Sequence, residues 1–74
     1  MYGSWGRGGV RCKIKPDWLD SGREGEAICY FSKDYRGAME WVVVYWDDQE
    51  DPDCHKASGL LFMQPDEKVW REFR

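Results

Sequence analysis

A chain of 74 residues has room for one domain with a thin core. Its net charge of −3, from 11 basic and 14 acidic residues, argues against a nucleic-acid binder, which carries a basic excess. The 42% hydrophobic and 16% aromatic content, with five Trp, argues against disorder and gives more large apolar side chains than so small a core easily hides.

Residues 1–9 (MYGSWGRGG) carry four glycines and predict a flexible tail, although Tyr2 and Trp5 are apolar enough to dock on a neighbouring subunit. Val10–Lys15 alternates, with Val10, Cys12 and Ile14 on one face and Arg11, Lys13 and Lys15 on the other, which predicts a half-buried strand. Pro16 ends it. A long connection follows to Gly25, with Trp18 and Leu19 expected to plug one end of the core. Glu26–Ser32 reads as a strand apolar on both faces, and Lys33–Gly37 as a polar hairpin turn. Met39–Trp46 is β-branched and aromatic throughout and predicts a central strand buried on both faces. The acidic turn Asp47–Asp53, a short strand Cys54–Ala57, an apolar run Leu60–Met63 and a closing strand Lys68–Phe73 complete the chain. Short strands separated by turns in so small a domain predict an all-β fold, a sheet of about five strands curled into a barrel over residues 10–74.

The order Gly9-Val10-x-Cys12-x-Ile14, long loop, Gly22-x-x-Gly25-x-Ala27-Ile28 is similar to the opening of SH3-like and KOW-type barrels. Trp41–Trp46, the short piece before Leu60 and the final strand continue that order. The acidic balance departs from the nucleic-acid-binding KOW proteins. In size the chain also resembles the bacterial, cassette-borne type II dihydrofolate reductases, tetrameric SH3-like barrels. Their Val-Gln-Ile-Tyr active-site strand has no counterpart here, since Val43-Val44-Tyr45 lacks the glutamine, and no catalytic residue carries over. What that resemblance implies is a small self-associating barrel.

Chemistry-bearing clusters are few. Cys54-His55 has the residue types of a nucleophile and base, but neighbours on a strand point to opposite faces. The more economical reading is a buried Cys54 beside a surface His55. Cys12, Cys29, Cys54 and His55 are zinc-ligand types without a C-x-x-C knuckle. The run Asp47–Asp53 fails the EF-hand pattern, with Pro52 where glycine is needed and Ser58 where the bidentate glutamate belongs. No cofactor or metal is expected. Arg11, Lys13 and Lys15 on one strand face, near Trp18 or Tyr35, form the remaining candidate for weak single-stranded nucleic-acid contact.

The surplus aromatics point instead to interfaces. Trp41 and one of Trp18 or Trp46 are assigned to the core, and the expected interface residues are Trp18, Tyr35, Trp46, Asp47, Asp48 and Trp70. These expectations describe a cytoplasmic, non-enzymatic adaptor that forms a homodimer or tetramer and presents acidic charge beside Trp46 to a basic or proline-rich protein segment. The alternative is an oligomer with a ligand or catalytic site between subunits. No stretch is long and apolar enough to suggest a membrane span. Nothing resembles a signal peptide, and the unpaired cysteine spacing argues against a disulfide-stapled secreted domain.

Overall fold

The structure, a computed structural model, describes residues 2–5, 9–32, 40–64 and 66–73. Among these the chain is all-β. Its strands are β1 (Tyr2–Ser4), β2 (Val10–Ile14), β3 (Glu24–Ser32), β4 (Glu40–Trp46), β5 (Asp53–Lys56), β6 (Leu60–Met63) and β7 (Arg71–Glu72). A single 3₁₀ turn, Ala57–Gly59, joins β5 to β6. All pairings are antiparallel, in the order β5-β4-β3-β2-β6-β7, and β1 pairs with β3. The path ends at β5 and β7, which do not pair with each other, so the sheet is curled but not closed by hydrogen bonds.

The period-2 pattern of β2 holds: Val10, Cys12 and Ile14 are all buried. Register carries that face across the sheet. Cys12 stands opposite Gly25 and Phe62, Gly25 opposite Trp46, and Val10 opposite Ala27, which faces Val44. Leu60, Val42, Val44 and Cys12 are the largest fully buried side chains. Gly25 is small for a reason: a Cβ there would stand 2.5 Å from the Tyr45 carbonyl oxygen and 2.9 Å from a Val44 methyl.

The register of β3 against β4 slips between Ala27 and Cys29, leaving Ile28 as a bulge. Ala27 and Tyr30, three residues apart, thereby turn to the same face, Ala27 opposite Val44 and Tyr30 opposite Val42. Tyr30 then joins Trp5, Phe62 and Phe73 in an aromatic cluster at the edge of the core, with ring centroids 5.0–6.1 Å apart. The Tyr30 ring occupies the space that a side chain at Gly3 would need.

Several expectations are corrected. Tyr2–Ser4 is not a free tail: it extends β3 beyond the stretch that β2 covers, and Trp5 stacks on Phe62. β4 is buried on one face only, because a single curled sheet encloses one interior; Val42, Val44 and Trp46 point in, and Tyr45 is 43% exposed. Leu19 is 88% exposed, so Trp18 alone anchors the β2–β3 connection. Cys54 is exposed and His55 half-buried, the reverse of the expected arrangement, because register sets His55 opposite inward Val42. The final strand shrinks to Arg71–Glu72, with Val69 exposed and Phe73 packed on the core. The expected Lys33–Gly37 turn lies outside the described residues.

Candidate functional site

The inward row of β4 has a counterpart facing out. Cys29, Val43 and Cys54 stand side by side across β3, β4 and β5, and Phe31, Trp41 and Lys56 form the next row. Tyr45 extends the face opposite Glu26. Cys29, Phe31, Trp41 and Val43 are half-buried, yet none belongs to the core cluster. An outward sheet face normally alternates to polar residues; this one keeps an apolar centre.

The acidic turn after β4 is occupied by arginines. Arg11 donates to both carboxylate oxygens of Asp47, at 3.0 and 2.6 Å, and to Glu24 at 3.3 Å. Arg23 donates to Asp48 at 2.8 Å and to Gln49 at 2.7 Å while its guanidinium lies 4.9 Å from the Trp46 ring centroid. These partners hold the Asp47 and Asp48 carboxyls below the usual carboxylate range and bind the Arg11 and Arg23 protons more tightly. Asp47 and Asp48 are therefore committed within the molecule.

The expected interface residues do not converge. Trp46 is 2% exposed and belongs to the core. Half-buried Trp18 packs on His55 with centroids 5.4 Å apart, and His55 meets Trp46 edge-on at 6.1 Å. Gly59 leaves room for this contact: a Cβ there would lie 2.7 Å from both rings. His55 Nδ1 lies 2.9 Å from the Lys56 carbonyl oxygen, so the ring is held by packing on one side and by backbone on the other. Trp70 lies elsewhere, beneath the Lys13 ammonium at 4.5 Å. Tyr35 lies outside the described residues. The three cations at and just after β2 are likewise engaged, Arg11 with Asp47, Lys13 with Trp70, and Lys15 with Glu72 at 3.3 Å.

Residue types for covalent or metal chemistry are dispersed. Cys12 is fully buried, and burial pushes its thiol up to about 12. Among the described residues no three His, Cys, Asp or Glu side chains gather closely enough to hold a metal ion. No helix among the described residues is long and apolar enough to cross a membrane.

A groove of about 340 Å³ opens where the end of β2, the start of β4, the 3₁₀ turn and the residues after β6 meet. Lys15, Glu40, Lys56, Ala57 and Phe73 line it. Of these, sequence reasoning singled out only Lys15, and that as part of a nucleic-acid patch. Nor did it find the outer row of β3 and β4, because an apolar run does not say which of its residues face out. In comparisons with protein-family models, curated proteins and solved structures, nothing matches the chain.

Proposed function

We propose that this chain is a non-enzymatic protein-binding module, an SH3-like barrel that associates with a second copy of itself through the outer face of β3, β4 and β5. The SH3-like reading is supported by element order: β2, a long loop, the glycine-marked β3, the hairpin strand β4, the short β5 with a 3₁₀ turn, and β6 returning beside β2. The observation that carries the binding reading is the apolar row Cys29–Val43–Cys54 with Phe31 and Trp41 beside it, on a face outside the core.

A two-fold axis crossing the strands near Val43 sets the apolar centre of one copy on that of the other and leaves Lys56, the cation of this face, at the rim.

Light scattering during gel filtration, over a range of protein concentrations, tests this. The expected result is a mass that rises toward twice that of the monomer, with Val43→Lys remaining monomeric and folded. A monomer at all concentrations up to about 1 mM, the weak limit of specific association, overturns self-association. A dimer unaffected by Val43→Lys overturns the assignment to this face.

A further inference from the structure

We propose that Tyr2–Trp5 is the chain's own occupant of a peptide site, which takes in its place an extended segment of another protein. That segment carries a large aromatic residue two positions after a glycine. The site uses none of the outer-face side chains and does not depend on self-association.

The ligand is read from what fills the site. β1 meets the rest of the chain as an added strand: among the described residues it pairs with β3 alone, at residues 29–31. Its inward positions are 3 and 5. Gly3 stands opposite Tyr30, whose ring fills the place of a side chain there. Trp5 enters the aromatic cluster, with its ring centroid 5.0 Å from Tyr30, 5.3 Å from Phe62 and 6.1 Å from Phe73. Ser4, between them, is exposed. Main-chain pairing at a sheet margin, with alternate side chains read by pockets, is how proteins recognise extended peptides by strand addition. One position here demands glycine, the other a large ring, and the residue between them is unread.

The occupant is separable from the fold and underfills its site. The buried core is drawn from β2, β3, β4, the 3₁₀ turn and β6, with no residue from β1. Three ladder positions and one half-buried ring hold the segment, and elements with so little burial open first in local unfolding. Beside Trp5 a groove of about 160 Å³ stays open, walled by Tyr30, Phe62 and Phe73 and edged by Gln64 and Arg71. A partner segment can use that space where Tyr2–Trp5 does not. Because a tethered segment competes at an effective concentration on the order of millimolar, β1 sets a threshold that a partner must exceed.

The test is a nitrogen-15 NMR titration of the intact chain, and of full-length Gly3→Val/Trp5→Ala, with an end-blocked Tyr-Gly-Ser-Trp-Gly peptide. Gly3→Val drives a side chain into the Tyr30 ring and Trp5→Ala removes the anchor, so the variant vacates the site. The expected result is a folded variant with saturable shifts at the amides of Cys29, Tyr30, Phe31, Phe62 and Phe73. It should bind at least about tenfold more tightly than the intact chain, and valine in place of the peptide's glycine should abolish binding. In the intact chain, the β1 amides bonded to β3 should exchange with deuterium at least about a hundredfold faster than those of Cys12 and Val44. No binding by the variant, equal binding by the intact chain, or equal binding of the valine peptide would overturn the proposal. So would shifts away from these residues, an unfolded variant, or β1 amides that exchange as slowly as the core.

Discussion

Replacing Val44 and Val43 by alanine, one at a time, separates the two faces of β4. Val44 is fully buried opposite Ala27, whereas Val43 points outward between Cys29 and Cys54. Val44→Ala removes two carbon groups from the core, a transfer loss of about 1.6 kcal/mol at roughly 0.8 kcal/mol each. The cavity left in a close-packed interior adds about 1 kcal/mol. The combined loss, about 2.5 kcal/mol, lowers the melting temperature of a domain this size by roughly 10–20 °C. Val43→Ala leaves no enclosed cavity and costs under about 1 kcal/mol, a shift of a few degrees. The assay is thermal unfolding followed by circular dichroism, at micromolar concentration so that association does not contribute. Aspartate at the same two positions widens the contrast: Val44→Asp buries an unpaired charge and prevents folding, while Val43→Asp remains folded. Equal losses at the two positions, or failure of Val43→Asp to fold, would refute the one-faced reading of β4.

The cysteines report burial directly. With a thiol-reactive probe at pH 8, native protein is labelled fast at Cys54 and not at Cys12, which reacts only on unfolding; equal native rates, read by mass spectrometry, would contradict the placement of β2 and β5. The acidic turn predicts an acid-sensitive contribution. Because Arg11 and Arg23 depress the folded-state carboxyls of Asp47 and Asp48, the stabilisation is complete above the unfolded carboxyl range of about 4 and is lost as pH falls through the lower folded values. Asp47→Asn should flatten the acid limb of the stability curve and cost no more than about 1 kcal/mol at neutral pH, since the pair is exposed; an unchanged acid limb would remove the Arg11 pair as its cause.

Strand identity was largely legible in the sequence, and facing was not. The alternation of Val10, Cys12 and Ile14 placed β2 and its inner face correctly, because a half-buried strand prints its exposure in its pattern. Glu40–Trp46 prints no such pattern: its outward residues are also apolar, so only pairing with β3 and β5 tells Val42 from Val43. The same holds for Cys54 and His55, whose sides follow from register with β4. Trp46 reads as a surface residue beside an acidic turn, but it falls on the inward side of β4 with Val42 and Val44. The bulge at Ile28 has no local signature, and without it Tyr30 faces out. Glu40 and Phe73, 33 positions apart in the numbering, share a groove only because the sheet curls.

The placement of β1 has a consequence for solubility. β2 covers β3 only through Ala27, and residues 29–31 beyond the bulge would otherwise present open amide and carbonyl groups beside Cys29 and Phe31. That is a template on which another extended chain can grow. Tyr2–Ser4 occupies it, and Gly3 lets the occupying strand settle under the Tyr30 ring. Tyr2–Ser4 thus caps that template, and removing these three residues would open it to a foreign strand.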